Sequence, residues 1–420
     1  MPNSPLARRA RALLDVRHWK LSSFEALKNR HYRWFWSGRI SVSAGFEMSA
    51  IAQGWLVYEL TQSAFALSWV GLGRSLAMFL LSPYGGVVSD RLPKRSVLLW
   101  TRLATVVNLA ILTLLVALGH IQIWHLALSA LFSGLLYAFM MPAQQSIVPD
   151  LVDRSMLLNA ISLNSIGMGL TAIIADSSTG YLMDWFGVAG AYVAMTALNV
   201  FAAFAVYKLP KGKPSAQGAQ RSVGQDLRAG LGYLRSAPVI MALVAVVLIR
   251  VLFIMPYRTF MPKYVSDTLG LDAGGLGLLL AASAIGALVT SFSVASSGNF
   301  RGKGRLLIVG GFIAGLALIA LLFVRTLSLA FLVMLFVGVG NNICMVTGST
   351  LLQMHCTPEY RGRVMGVDMM IWGLAPLGTL PAGALADVVG VAPVLAGQGA
   401  LTLLCFLALA VLSPPLRRLD

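Results

Sequence analysis

Charged residues are scarce in this sequence. Asp, Glu, Lys and Arg together make up 11% of the 420 residues, whereas hydrophobic residues make up 57% and the mean hydropathy is +0.78. A soluble globular domain usually carries about 25% charged residues. The composition therefore excludes an ordinary soluble protein and indicates a chain that lies mostly in lipid.

Cysteine is nearly absent. Cys344, Cys356 and Cys405 lie in or at the end of apolar segments, with neither CxxC spacing nor a histidine cluster nearby. This pattern predicts no disulfide framework and no metal site. The motifs of a phosphate-binding loop, a zinc-protease helix and a nucleophile elbow are also missing, so we expect no enzyme activity and no cofactor.

Acidic residues are half as numerous as basic ones. The chain has 16 Asp and Glu against 32 Lys and Arg, which gives a net charge of +16. In a soluble protein such an excess suggests nucleic-acid binding. Here the basic residues lie beside long apolar runs, so we expect the lipid bilayer and not nucleic acid to be their partner.

Twelve apolar segments are each long enough to cross a bilayer, which takes about 20 residues in a helix. Their predicted limits are 34–60, 64–89, 96–118, 122–144, 157–183, 188–207, 239–264, 274–297, 305–324, 328–354, 363–386 and 392–413. The sequence thus predicts an all-α membrane protein. Its predicted parts are an N-terminal segment (1–33), a six-helix half (34–207), a linker (208–238), a second six-helix half (239–413) and a tail (414–420).

The basic residues also predict an orientation. Placing alternate loops on one side of the membrane puts 26 Lys and Arg there and leaves only Lys263 and Arg325 on the opposite side. Under the positive-inside rule the N-terminal segment, the linker and the tail are cytoplasmic. The four remaining basic residues fall within predicted spans: Arg39, Arg74, Arg250 and Arg258.

The two predicted halves share a short repeat. Gly180, Asp184 and Gly187 end the fifth span, and the same spacing recurs at the end of the eleventh as Gly383, Asp387 and Gly390. Parallel six-helix repeats imply a substrate path between the halves, near the middle of the membrane.

A motif follows the second predicted span. Residues 86–95 read Gly-Val-Val-Ser-Asp-Arg-Leu-Pro-Lys-Arg. This stretch resembles the signature loop of the major facilitator superfamily, Gly-x-x-x-Asp-Arg/Lys-x-Gly-Arg/Lys-Arg/Lys, with Pro93 in place of the usual glycine. An acid at a helix end can accept hydrogen bonds from the start of a neighbouring helix, and such a contact can latch one of two alternating states. The motif supplies four predicted gating residues: Asp90, Arg91, Lys94 and Arg95.

Residues 53–63, 142–150 and 353–378 are similar to the branch of that superfamily that contains enterobactin exporters and macrolide-efflux-like proteins. The resemblance implies the major facilitator fold, an inner-membrane location and a monomer. It implies proton-coupled efflux of a small amphipathic compound by alternating access. Uptake or facilitated diffusion of an organic solute, and a receptor that does not transport, remain alternatives. Residues 175–180 depart from the Gly-Pro-x-x-Gly-Gly pattern of many drug antiporters, because Asp176 replaces the proline.

Two acids within predicted spans are candidates for proton coupling. An ionisable residue at a helix centre costs about 2.5 to 3.5 kcal/mol on insertion scales, so it usually pairs or faces a wet cavity. Glu47 lies midway along the first span, and Asp176 lies in the fifth. For Glu47 the alternative is a structural salt bridge to Arg39 or to an arginine of another helix. For Asp176 it is a structural hydrogen-bonded role.

Substrate-binding candidates lie in three other spans. Arg250 would bind an anionic or catecholate-like group, or would pair with Glu47 or Asp176. Arg258 would face the same cavity or would extend toward the outer interface. The tenth span has polar residues that would contact substrate or join helices. Further candidates are Asn341, Asn342, Gln353 and Tyr137, the last beside Met140 and Met141, and a cytoplasmic gate is predicted from Asp368 with Arg361 and Arg363.

Overall fold

The fold is all-helical throughout the described residues. A computed structural model describes residues 25–153, 156–210, 238–297, 301–357, 364, 366–368, 370–417 and 419. For residues 82, 83, 86, 87, 89–91, 158, 414 and 415 only the backbone is described.

The described residues of the first half form five long helices. They are α1 (Arg30–Thr61), α2 (Ala64–Arg91), α3 (Lys94–Ala117), α4 (Ile123–Ser146) and α5 (Leu157–Tyr207), with short helices at Glu25–Lys28 and Val148–Leu151. Asn29 caps α1, because its side-chain oxygen accepts hydrogen bonds from the backbone of His31 and Tyr32. The helix ends at Gln62, whose left-handed backbone lets the chain reverse into α2.

Helix α5 is a hairpin of two arms. At Gly187 the backbone leaves helical geometry, with φ of 68° and ψ of 178°. The Tyr32 hydroxyl donates to the carbonyl of Ala160 in the first arm, at 2.7 Å, and the ring of Trp34 lies 5.7 Å from that of Phe204 in the second. Both arms therefore lie beside the same end of α1, so the chain turns back at Gly187.

Seven longer helices have bounds within the described residues of the second half. They are α6 (Pro238–Ile249), α7 (Tyr257–Leu269), α8 (Ala273–Ser296), α9 (Lys303–Ala320), α10 (Leu327–His355), α11 (Ala375–Val389) and α12 (Val391–Leu412), and a short helix follows at Pro414–Arg417. A π-helical turn at Arg250–Ile254 joins α6 to α7. Pro256 cannot donate a backbone hydrogen bond, and the helix before a proline is easily disrupted. The amide of Met255 bonds to the carbonyl of Arg250, which closes the wider turn.

The outer surface of the bundle is apolar. Ten helices in the described part of the chain are long and apolar enough to cross a membrane. α5 is counted once among them, although each of its arms has about the 20 residues that one crossing needs. Large apolar side chains point outward without cover, with 71% to 81% exposure at Trp100, Trp185, Phe323, Val388 and Leu412. The chain is a multi-pass membrane protein.

The bundle has two distinguishable ends. We call the end where α1 and α3 begin and where α5 finishes at Tyr207 the basic end, and the other, which includes Gln62 and Gly187, the opposite end. The halves pack through α2 against α11 and through α5 against α8. A β-carbon on Gly180 would lie 2.5 Å from the carbonyl oxygen of Ala273, and one on Gly383 would lie 2.8 Å from that of Ala64. Glycine at these repeat positions therefore permits the close approach of the halves.

Candidate functional site

An ion-pair cluster joins the two halves near the middle of the bundle. The Nη2 atom of Arg258 in α7 lies 2.7 Å from Oε2 of Glu47 in α1 and 3.7 Å from Oδ2 of Asp176 in α5. We call these three residues the Arg258 cluster. Asp176 is fully buried, and neither carboxylate oxygen has a hydrogen-bond partner. The structure thus brings both predicted proton-coupling candidates onto one arginine.

Pairing explains why these charges are tolerated. A buried carboxylate is costly without an opposite charge, and removing one member of a buried pair typically costs about 3 to 5 kcal/mol. Arg258 bonds to Glu47 and lies within ion-pair range of Asp176. The Arg258 side chain therefore points toward the two acids and does not extend toward the outer membrane interface.

Arg250 does not pair with Glu47 or Asp176, which corrects one alternative for this residue. Its guanidinium lies 4.6 Å from the ring centroid of Trp372, a cation–π contact. Asp368 is close enough to interact with it electrostatically. A π-helical turn and Pro256 lie between Arg250 and Arg258. The spacing of a regular α-helix therefore does not give the relative direction of the two side chains.

A cavity of about 200 Å³ lies within the first half, toward the basic end. Arg39, Arg74 and Arg102 line it, together with Glu47 and Tyr137. We call it the arginine cavity. Its further lining residues are Val42, Ser43, Gly45, Phe46, Ser49, Thr105, Leu109, Ser133, Leu136, Met140, Met141, Gln144, Met168 and Asn199. The predicted substrate-binding residue Tyr137 lies here with its neighbours Met140 and Met141. Glu47 both lines the cavity and belongs to the Arg258 cluster.

The sequence reasoning missed Arg102. The 26 basic residues that the sequence places in loops on one side include Arg102, but this residue lies inside α3, is only 3% exposed and lines the arginine cavity. Its position within the predicted span 96–118 could have identified it, because a charged residue in a span costs free energy and usually has a function.

The polar residues of α10 lie away from the arginine cavity. Asn342 donates hydrogen bonds to the carbonyl of Ala287 and the hydroxyl of Ser291 on α8, at 2.8 and 2.9 Å. Gln353 donates to Ser349 within its own helix, and the side-chain oxygen of Asn341 is buried without a partner. Asn342 thus joins two helices, as one of the alternatives for this span predicts.

The predicted gating residues that are described tie helices of one half together. Lys94 contacts Asp150 at 2.7 Å and the carbonyl of Ser146 at 2.8 Å, and Arg95 donates to the carbonyl of Tyr207. The side chains of Asp90 and Arg91, and all of Arg361 and Arg363, lie outside the described residues.

At the opposite end, two acids of the sequence repeat hold helix starts of the other half. Asp387 accepts hydrogen bonds from the Ser63 hydroxyl at 2.6 Å and from the amides of Ala64 and Phe65 at 2.7 and 3.1 Å. Asp184 accepts one from the amide of Gly274 at 3.2 Å. We call these the Asp387 clasp and the Asp184 clasp. Free amides at a helix start suit a carboxylate.

Further polar contacts join the halves beside the clasps. The Tyr58 hydroxyl bonds to Asp267, and Lys263 donates to the carbonyl of Gln62 at 2.8 Å and lies 3.8 Å from Asp387. The opposite end is therefore closed by contacts between the halves in this state.

Comparison with solved structures supports this architecture. The nucleoside transporter NupG superposes with a TM-score of 0.75 at 13% identity, covering 91% of this chain and 98% of that one. A POT family transporter gives a TM-score of 0.74 at 13% identity over 92% and 96% of the two chains. At these identities the likeness concerns the fold alone.

Sequence comparison finds relatives of similar length. The chain is 22% identical to the staphyloferrin A transporter of Staphylococcus aureus, over 86% of this chain and 90% of that protein. It is 25% identical to the multidrug efflux pump Tap of Mycolicibacterium fortuitum, over 91% and 95%, and 22% identical to macrolide efflux protein A of Streptococcus pyogenes, over 96% and 98%. The family described as transmembrane secretion effector matches residues 21–420. The chain therefore belongs to this family of the major facilitator superfamily and is a membrane transporter, not an enzyme.

Proposed function

We propose that the protein is a proton-coupled exporter of small amphipathic compounds that works by alternating access. In this proposal it is a monomer in the inner membrane, with twelve spans in two six-helix halves and both termini in the cytoplasm. Export is supported by the siderophore, multidrug and macrolide transport that its relatives are named for. The orientation rests on the basic residues that border the spans on one side.

Proton coupling rests on one observation: Glu47 both lines the arginine cavity and bonds to Arg258 across the halves. Protonation removes the negative charge that attracts Arg258, so proton uptake weakens a contact that joins the halves. Because the same carboxylate borders the cavity, the charge state of Glu47 also changes the surroundings of a bound substrate. A single group can in this way link the proton to both occupancy and access.

Alternation between two states is supported by where the contacts lie. The opposite end is closed by the two clasps, whereas the arginine cavity lies toward the basic end. We propose that substrate enters from the basic end, which faces the cytoplasm, and that opening of the clasps releases it on the other side.

Flux in inside-out membrane vesicles tests this function. With an imposed pH gradient, acid inside, we expect uphill accumulation of at least one compound from a panel of erythromycin, a siderophore and a cationic dye. Glu47→Gln should abolish uphill accumulation and keep downhill exchange of the same compound. Glu59→Gln is the matched control, because Glu59 lies on α1 but is exposed near the opposite end.

Three results would contradict parts of the proposal. If Glu47→Gln keeps uphill transport while Asp176→Asn loses it, the proton site belongs on α5. If neither variant changes the pH dependence, neither acid couples. If the wild-type protein only equilibrates the compounds, it is a facilitator of diffusion, which is the second function that the sequence allows.

A further inference from the structure

The arginine cavity has an excess of positive charge that no acid of the described residues neutralises. Within the described residues, no ion pair involves Arg39, Arg74 or Arg102. Glu47 is the only acid among the lining residues, and its carboxylate already bonds to Arg258. The three guanidinium groups therefore face the cavity without a carboxylate of their own in the part of the chain that the structure describes.

The hydrogen bonds of these arginines are weak or missing. Arg39 contacts the sulfur of Met168 at 3.3 Å, and its buried Nε has no partner. Arg74 donates to the side-chain oxygen of Gln53 at 3.4 Å, near the limit for such a bond. Donors of this kind remain available to a ligand, because each guanidinium carries five N–H groups.

Two of the three arginines, Arg39 and Arg102, are close enough to repel each other. All three guanidinium groups are close enough to Tyr137 to interact with it electrostatically. Like charges held together away from water repel strongly, and each ionised residue within a span carries an insertion cost of about 2.5 to 3.5 kcal/mol. An anion in the cavity would reduce both the repulsion between the arginines and the cost of their burial.

The size and walls of the cavity indicate what kind of anion fits. A volume of about 200 Å³ lies below the range of about 300 to 1,000 Å³ that is usual for a pocket that holds a whole drug-sized ligand. Phe46, Met140 and Met141 provide apolar and adaptable walls beside the guanidinium groups. The cavity therefore suits the charged head group of an organic anion better than a bare inorganic ion.

We propose that the arginine cavity is a substrate subsite that binds the carboxylate, or another planar oxyanion group, of an amphipathic compound. The guanidinium fork matches such groups in a bidentate geometry. This inference rests on the proposed export function and narrows its substrate class to compounds with an anionic head group.

Binding to the protein in lipid nanodiscs, without any gradient, tests the subsite separately from transport. Benzoate is the probe, benzamide is its neutral counterpart and inorganic phosphate tests for a free oxyanion. In neutral phosphatidylcholine nanodiscs we expect benzoate to raise the melting temperature and benzamide to leave it unchanged. If only phosphatidylglycerol nanodiscs stabilise the protein, the arginines hold a lipid head group and the substrate subsite is wrong. If phosphate stabilises the protein and benzoate does not, the cavity binds an inorganic anion and the proposed organic substrate is also wrong.

Arg102→Met and Arg74→Met are the test variants, and Arg305→Met is the control because Arg305 is exposed at the start of α9. Each test variant should lower the apparent affinity for benzoate about tenfold or more, the loss expected for one charge-assisted hydrogen bond. Without ligand, each should be at least as stable as the wild-type protein, because the change removes an unpaired charge. Lower stability without ligand, or unchanged benzoate affinity, would overturn the proposal.

Failure of the subsite and failure of the function give different results. If benzoate binds through the arginines but no compound is accumulated in vesicles, the export function is wrong and the anion site stands. If compounds are exported and benzoate does not bind, the export function stands and the subsite is wrong.

Discussion

Two sets of arginines lie inside the membrane-spanning bundle, and they differ in whether the protein pairs them. Arg258 has two acids within ion-pair range, each from the other half of the chain. Arg39, Arg74 and Arg102 all belong to the first half and have no acid of the described residues as an ion-pair partner. The paired arginine joins the two halves of the chain, whereas the unpaired arginines have N–H groups available to a ligand. Intramembrane charge therefore has at least two uses in this fold, and only the surroundings distinguish them.

The largest expected difference comes from deleting one arginine of each set. Arg258→Met leaves Glu47 and Asp176 uncompensated, so it should destabilise the protein by about 3 to 5 kcal/mol. Arg102→Met should not destabilise it, because no described acid loses a partner. Melting temperatures of the two variants in nanodiscs measure the contrast.

A rescue variant checks the cause. Adding Glu47→Gln and Asp176→Asn to Arg258→Met removes the uncompensated acids and should restore most of the lost stability. Equal melting temperatures for the Arg258→Met and Arg102→Met single variants would remove the distinction between paired and unpaired arginines.

A smaller difference is expected between the two acids of the Arg258 cluster. Glu47 makes the 2.7 Å hydrogen bond, whereas Asp176 lies 3.7 Å away. Glu47→Gln should cost about 1.5 to 3 kcal/mol, the usual contribution of a hydrogen bond between charged groups. Asp176→Asn should cost less, since the stronger contact remains. Chemical unfolding of both variants at one pH gives the order, and the reverse order would show that burial outweighs the hydrogen bond.

The smallest effects are expected for the clasps at the opposite end, because the Arg258 cluster also joins the two halves. Asp387 accepts three hydrogen bonds and Asp184 accepts one. Asp387→Ala should weaken closure by about 0.5 to 2 kcal/mol, the range for losing a helix cap, and Asp184→Ala by less. Distances between spin labels at the exposed residues Leu118 and Phe323 report the fraction of open molecules.

The clasp comparison has a clear contrary outcome. If Asp184→Ala opens this end as much as Asp387→Ala does, the number of hydrogen bonds does not set the strength of a clasp. Closure would then depend on the packing of α2 with α11 and of α5 with α8.

Much of the helical plan follows from the sequence alone. Apolar runs of sufficient length predict the helices, because backbone groups in lipid must bond within their own segment. The first predicted span, 34–60, lies within α1, although α1 is not among the ten helices of the described residues that are long and apolar enough to cross a membrane. Gly187 and Gly390 fall where the chain reverses. The repeat of glycine and acid was also visible, although the clasps that it forms were not. A repeat shows that two sites are alike, but it does not show what each site contacts.

The sequence by itself identified Glu47, Asp176, Arg250 and Arg258 as charges that need an explanation, because an ion in hydrocarbon is costly wherever it sits. Only the tertiary structure decided which charges meet. Arg258 and not Arg250 reaches the acids, and Arg102 turns from a basic loop into a buried cavity residue. The physical reason is that ion pairing and free donors depend on distances of a few ångströms between helices far apart in the chain. Those distances are set by how the helices pack, and no local pattern in the sequence encodes them.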